Sequence, residues 1–273
     1  MIKLNYLKRK GIKETMKTNF LYNGECVEIM RSQIEDNSID MIVTDPPYGV
    51  GFKNEYYDDS LETVIKNMPI WYNEWYRTLK KDGYLFLFVG VKTLHIWIQE
   101  GIKAGFTYKN ILATRSFNNG AMTPKNNFGF QFQPIIVFSK GKGRDFNRVD
   151  FIPTSEEWFN DKRNDDPNPY TYSYPNWIKS EWCFATAKRS TDNLHPNEKN
   201  MDLIKFLIEI STNEGDVILD NFLGCGSSVI SAILANRKFI GIELNQELYK
   251  LSKDRVASYI NIFNFEEIGE YYE

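Results

Sequence analysis

The chain has 273 residues, of which 42% are apolar and 15% aromatic, and its formal net charge is −3. This composition excludes a mostly disordered chain and is sufficient for the core of one globular domain. No stretch approaches the roughly 20 apolar residues of a membrane helix, and no apolar secretory segment opens the chain. The three cysteines and two histidines lack metal-ligand or disulfide spacing, so we expect no metal and a reduced, cytoplasmic location.

The first predicted strand covers residues 39–43, and Asp45-Pro46-Pro47-Tyr48 follows it. Because proline fixes φ and lacks an N–H, this turn presents carbonyl oxygens with few competing donors. A flat ring that bears an amine would suit it, stacked on Tyr48 with its amine hydrogens accepted by Asp45 and a carbonyl. The alternative is a proline turn that only closes the strand. Residues 49–60 are predicted to form a flap over the site.

The middle of the chain continues the alternation of helices and strands. Helices are predicted at residues 61–79 and 93–104, and strands at residues 84–89 and 135–138. Residues 116–133 are predicted to be a long loop, which carries Phe128, Phe130 and Phe132 among its aromatic side chains. Residues 141–193 are irregular, rich in proline and aromatic side chains, and are predicted to be an insertion.

The C-terminal third contains a glycine turn between a strand and a helix. A helix at residues 199–211 precedes a strand at 217–220, a helix at 228–236, a strand at 238–242 and a helix at 246–259. Gly224 and Gly226 lie in the first strand–helix turn, where backbone can approach a ligand closely. Glu243 ends the next strand, near the spacing expected of an acid that binds ribose hydroxyls. Val229 replaces the third glycine of the dinucleotide fingerprint, which argues against a pyrophosphate ligand and a nicotinamide enzyme.

The alternating elements predict an α/β fold with a mainly parallel sheet and helices on both faces. Ligands of such sheets bind at the carboxyl ends of the strands. Asp45, Gly224 and Glu243 would all lie at that edge.

These motifs, in this order, resemble those of the amino-group DNA methyltransferases that use S-adenosylmethionine. The catalytic D-P-P-Y comes first and the F-x-G-x-G loop last, as in the circularly permuted β group, and the chain is most similar to its adenine-N6 enzymes. The resemblance runs over residues 21–255, and further matching stretches are residues 21–26, 36–40, 77–83, 137–140, 195–199 and 239–243. It implies a Rossmann-like methyltransferase fold and transfer of a methyl group to the N6 amine of a flipped-out adenine in duplex DNA.

The resemblance also assigns site residues. The catalytic set would be Asp45, Pro46, Pro47 and Tyr48. The cofactor-binding set would be Glu25, Asp45, His195, Lys199, Asp220, Phe222, Gly224, Gly226, Ser228 and Glu243. This chain departs from the family pattern in three places: Glu25 replaces an aspartate, Ser228 a threonine, and Asn200 a proline.

The charge distribution and the motif order predict four regions. Residues 1–17 form a basic arm with six basic side chains against one acid, and residues 261–273 form an acidic tail. Residues 18–140 and 194–260 form the catalytic domain, and residues 141–193 are the inserted target-recognition segment. Lys140, Lys142, Arg144 and Arg148 form a second basic cluster, interpreted as phosphate contacts.

Several alternatives stay open at this point. A cytosine-N4 methyltransferase is the nearest, although that group commonly has serine in place of Asp45. A catalytically decayed DNA-binding partner subunit is another, although Asp45, Tyr48, Gly224 and Glu243 are intact. The sequence leaves open whether the protein forms a homodimer and whether a companion restriction endonuclease accompanies it.

Overall fold

The computed structural model describes residues 16–52, 57–115, 132–147, 177–178 and 198–263. Eight strands and six helices lie within these ranges. The strands are β1 (Phe20–Asn23), β2 (Ile39–Thr44), β3 (Leu79–Phe88), β4 (Thr107–Arg115), β5 (Phe132–Ser139), β6 (Trp177–Ile178), β7 (Val217–Asp220) and β8 (Lys238–Glu243). The helices are α1 (Cys26–Gln33), α2 (Leu61–Thr78), α3 (Leu94–Lys103), α4 (Met201–Ser211), α5 (Ser227–Leu234) and α6 (Gln246–Phe263).

The strands form one sheet in the order β1-β8-β7-β2-β3-β5-β4-β6. Only the pairs β3–β5 and β5–β4 are antiparallel; the other described pairs are parallel. The prediction of a mainly parallel sheet is therefore confirmed. The register places Thr44 beside Leu87, so β2 and β3 end at the same edge of the sheet.

Helices pack on both faces of the sheet, which confirms that part of the predicted architecture. One face is covered by α4, α5 and α6, where the apolar side chains of Leu203, Leu207 and Ile210 are buried. The other face is covered by α1, α2 and α3, with Tyr72 and Trp75 fully buried in its core. The sheet is thus sealed on both sides, and its carboxyl edge is the place left for a ligand.

The sequence did not predict β1, β4, β6 or α1, and it placed the start of β3 too late. Asp82, with φ at 63°, lies inside β3, and the β2–β3 register shifts between Ile39 and Met41. That irregularity resembles a turn in sequence, although the strand continues through it. Phe132 and Gln133 belong to β5 rather than to the predicted loop; residues 116–131 lie outside the described residues.

Two members of the second basic cluster make contacts within the domain, at the edge of the sheet opposite to the one where β2 ends. Lys140 Nζ donates to the carbonyl oxygens of Tyr76 and Leu79 at 2.7 and 2.8 Å. Arg144 pairs with Asp216 at 2.7 Å and with the buried Asp40 at 3.2 Å. Asp40 lies near the start of β2, whereas Asp45 follows its end. Lys140 and Arg144 thus bond to groups of the domain itself, and the interpretation of their cluster as phosphate contacts stays a prediction.

Within the described ranges, no helix is both long and apolar enough to cross a membrane. In the same part of the chain, no group of three or more His, Cys, Asp or Glu side chains could hold a metal ion.

Candidate active site

A cavity of about 1410 Å³ opens at the carboxyl edge of the sheet. Its wall combines the turn after β2, the glycine turn after β7, the end of β8 and the start of β5. A site for one drug-sized ligand usually occupies about 300–1,000 Å³. The cavity is therefore large enough to hold two ligands side by side.

The turn after β2 carries a polar network in the cavity wall. Asp45 Oδ1 accepts a hydrogen bond from the hydroxyl of Tyr48, and Oδ2 forms an ion pair with the ammonium of Lys199 at 2.6 Å. The side-chain amide of Gln133, at the start of β5, donates to the Tyr48 hydroxyl. Burial, and secondly the negative charge of Asp45, raises the pKa of Tyr48. Tyr48 is thus held as a neutral hydroxyl beside the carboxylate.

Asp59 holds the loop that follows Tyr48. Its side chain is buried, and its carboxylate accepts the amide N–H of Gly49 at 2.8 Å, of Val50 at 3.2 Å and of Phe52 at 2.8 Å. On the other side of the turn, the hydroxyl of Thr93 donates to the carbonyl of Tyr48 at 2.7 Å. Residues 49–52 of the predicted flap are therefore anchored; residues 53–56 lie outside the described residues.

Glu243 ties the glycine turn to the end of β8. Its Oε2 accepts the amide of Gly224 at 2.8 Å, and its Oε1 accepts the amide of Asn245 at 2.8 Å. Burial raises the pKa of Glu243, and these amide hydrogen bonds oppose the shift. Gly224 has φ at 55°, and a Cβ added there would meet open space rather than protein. The turn therefore combines a fixed carboxylate with a backbone that leaves room for a ligand.

Asp220 is buried beneath the glycine turn and bonded on both oxygens. Oδ1 accepts the Thr44 hydroxyl at 2.8 Å and the Phe222 amide at 3.0 Å, and Oδ2 accepts the Ser228 hydroxyl. Burial raises the pKa of Asp220 to about 6 despite these hydrogen bonds. Because Thr44 ends β2, Asp220 joins the glycine-turn side of the cavity to the D-P-P-Y side.

Glu25 and Phe222 line the cavity near the glycine turn. Glu25 caps α1, where its Oε2 accepts the Glu28 amide at 2.8 Å. The Phe222 ring contacts Trp71 edge-on, with 5.1 Å between the ring centroids. These two side chains offer an apolar surface and a carboxylate to a flat ring.

Most of the predicted site residues line this one cavity. They are Glu25, Asp45, Pro46, Pro47, Tyr48, Lys199, Asp220, Phe222, Gly224, Ser228 and Glu243. Gly226 is not part of the wall; it has φ at 87°, and a Cβ there would lie 3.3 Å from Ser252 of α6. His195 lies outside the described residues.

The sequence analysis missed Asp59 and Gln133 as parts of the site. Asp59 lies ten residues after Gly49, and no local pattern distinguishes it from its neighbour Asp58. Gln133 reaches Tyr48 from 85 positions away only because β5 enters the sheet next to β3. Both contacts depend on tertiary structure.

Comparison with known proteins agrees with this geometry. Residues 39–254 match the sequence profile of the N6/N4 DNA methylase family, described as DNA methylase. The chain belongs to that family. It is a DNA methyltransferase, and the methyl donor of this family is S-adenosylmethionine.

Curated relatives and solved structures are similar to this methyltransferase over most of its length. It is 30% identical to the DNA adenine methyltransferase YhdJ of Escherichia coli (87% of this chain, 82% of YhdJ). It is 31% identical to the type II methyltransferase M2.MboI of Moraxella bovis (89% of each). The crystal structure of the M1.HpyAVI–SAM complex superposes with a TM-score of 0.61 at 20% identity (87% and 98% covered). The cytosine-N4-specific PvuII DNA methyltransferase superposes with a TM-score of 0.62 at 18% identity (93% and 95% covered). At these identities both superpositions concern the fold alone.

Proposed function

We propose that this methyltransferase modifies the N6 amine of adenine in duplex DNA. The observation that carries the proposal is the full carboxylate of Asp45, which opens onto the same cavity as the glycine turn and Glu243. The relative YhdJ, a DNA adenine methyltransferase that is 30% identical to this chain, supports the choice of adenine.

The residues on the β7–β8 side fit the cofactor. Each Glu243 oxygen already accepts one backbone amide and has a second lone pair for a ribose hydroxyl. Phe222 and Glu25 would bind the flat adenine of the cofactor, through ring contact and a hydrogen bond. Asp220 and Ser228 would hold the glycine turn rather than reach the ligand, because they are bonded to each other.

The residues on the D-P-P-Y side would bind and orient the target amine. An exocyclic amine on adenine is a poor nucleophile because the ring delocalises its lone pair. Asp45 and the carbonyl of Pro46 would accept its two hydrogens and favour a pyramidal nitrogen whose lone pair is free. When bound, S-adenosylmethionine supplies the electrophilic methyl group.

Tyr48 would replace the stacking that the target base loses when it leaves the duplex. In the structure its hydroxyl contacts Asp45, so the ring must turn from that contact to lie against the base. The Asp59 carboxylate and the Thr93 hydroxyl fix the backbone around Tyr48 while the side chain turns. The nitrogen carries an extra proton after methyl transfer, and water takes that proton.

The test is methylation of duplex DNA with labelled cofactor, followed by digestion to nucleosides and their separation. We expect label in N6-methyladenine. Label in N4-methylcytosine would refute the adenine assignment, and label found only with RNA would refute the DNA substrate. Asp45→Ala should keep cofactor affinity and lose methyl transfer by several orders of magnitude, because Asp45 acts mainly in the transition state. Tyr48→Ala should lose less, since stacking contributes roughly 1–3 kcal/mol per base.

A further inference from the structure

Lys199 makes its closest charged contact with the catalytic carboxylate. Its Nζ lies 2.6 Å from Asp45 Oδ2, and its side chain is only 18% exposed. The ammonium also lies 5.8 Å from the ring centroid of Tyr48 and 5.6 Å from that of Phe88. Both distances are within the range of cation–π attraction. Three contacts therefore hold this ammonium on the substrate side of the cavity.

The backbone on either side of Lys199 is fixed as well. Glu198 is buried and pairs with Arg255 of α6, which also donates to the carbonyl of Cys225 in the glycine turn at 3.2 Å. Asn200 accepts the Leu203 amide at 2.9 Å and so begins α4. Lys199 is thus a side chain projecting from a pinned segment into the cavity.

The two oxygens of Asp45 are divided between two donors of different kinds. Oδ1 holds the Tyr48 hydroxyl, and Oδ2 holds the Lys199 ammonium. When Tyr48 turns to stack on a base, Oδ1 is released and Oδ2 stays bonded to the fixed ammonium. A carboxylate held at one oxygen cannot rotate freely, so its other oxygen keeps one direction.

We propose that Lys199 is a positioning residue for methyl transfer, which holds Asp45 so that Oδ1 faces the target amine. This rests on the proposed function, in which Asp45 accepts a hydrogen of that amine. Lys199 makes no covalent bond and transfers no proton in this role. The proposal differs from the cofactor-binding role that the family resemblance implies for the same residue.

The two roles make opposite predictions for Lys199→Met in the full-length protein. A positioning role predicts that kcat falls about 10- to 100-fold while the Kd for S-adenosylmethionine, measured by calorimetry, changes less than about twofold. Lys199→Arg, which keeps the cation, should recover part of the rate. Lys205→Met is the matched control, because Lys205 lies on α4 and pairs with Glu209. Its kcat should equal that of the wild type.

Two further measurements distinguish positioning from a general loss of structure. Lys199 acts through Asp45, so Asp45→Asn and the double variant Asp45→Asn/Lys199→Met should have equal residual rates. Added methylammonium should raise the rate of Lys199→Ala and leave that of Lys205→Ala unchanged. The proposal would be overturned if methylammonium failed to raise the rate of Lys199→Ala and Lys199→Met lowered the rate of Asp45→Asn as much as it lowers that of the wild type. So would a cofactor Kd at least tenfold weaker with kcat unchanged. Because the rates are compared on whichever base the wild type methylates, a failed adenine assignment is recognised separately, from the wild-type nucleoside digest.

Discussion

Asp59→Ala is expected to uncouple cofactor binding from methyl transfer. The substitution removes the acceptor of three backbone amides in residues 49–52, directly after Tyr48. Hydrogen bonds to a charged acceptor typically contribute about 1.5–3 kcal/mol each. Only the Gly49 bond is fully buried, whereas the side chains of Val50 and Phe52 are exposed, so water can replace the other two. We therefore expect the loop to lose about 2–4 kcal/mol of local stability.

Only a part of that loss reaches the reacting groups, because Thr93 still holds the Tyr48 carbonyl. We expect kcat to fall about 10- to 100-fold, which corresponds to roughly 1.4–2.7 kcal/mol in the barrier. The Kd for S-adenosylmethionine should change little, since the Asp59 contacts lie on the D-P-P-Y side. Calorimetry and single-turnover methylation of the same preparation measure the two quantities.

The adjacent Asp58 provides a matched control. It is a carboxylate on the same segment, but it is exposed and accepts from Ser60 and Thr63 at the start of α2. Asp58→Ala should leave both kcat and cofactor affinity close to the wild-type values. Equal effects of the two substitutions on kcat would refute the reasoning, because they would show that the buried clamp has no particular influence on Tyr48.

Three other outcomes are expected. Glu243→Ala should weaken S-adenosylmethionine binding at least about tenfold by calorimetry, because it removes the buried carboxylate that accepts the Gly224 amide and, under the proposed function, the ribose hydroxyls. Unchanged affinity would show that Glu243 is not part of the cofactor site. Burial raises the pKa of Asp220 to about 6, so its contribution to stability is present below pH 3.8 and is lost as pH rises through 6. Between pH 4 and pH 7.5 the free energy of unfolding of Asp220→Asn, measured with urea, should therefore rise relative to that of the wild type by up to about 3 kcal/mol. A difference that does not depend on pH would contradict this. Exchange of residues 148–193 for the equivalent segment of a relative should change the methylated sequence and preserve cofactor affinity. Residues 141–147 stay in place because the amide of Asn147 donates to the Ile210 carbonyl. An unchanged methylated sequence would argue against the recognition role.

The parts of the site that the sequence predicted are those encoded within one short stretch of chain. The turn at Gly224 and the acid at Glu243 belong to one strand–turn–helix–strand unit, and Asp45 follows its own strand directly. Lys199 was assigned to the site by the resemblance, but its contact with Asp45 required the fold. A sequence motif identifies a residue of the site, but it does not identify the residue that it contacts in the folded protein.

The elements that the sequence missed lack the patterns that predict them. Strand β1 has only four residues, and three of them are buried, so it shows no alternation. Strand β4 begins with Thr107, Tyr108, Lys109 and Asn110, all of them exposed, and it forms its longest pairing with an antiparallel neighbour. Neither segment has the period-2 alternation of apolar and polar residues that indicates a half-buried strand.

The reversal of direction at β5 has a consequence for how enzymes of this architecture can diversify. Because β5 runs against β3, the chain leaves β4 at Arg115 and enters β5 at Phe132 on the edge that carries Asp45. The chain between those two points therefore starts and finishes at the edge of the sheet that carries Asp45. The glycine turn and Glu243 belong to the parallel half, on the far side of β2. Under the proposed function, changes in the β4–β5 connection would therefore affect the substrate side of the cavity and leave the glycine turn and Glu243 unchanged.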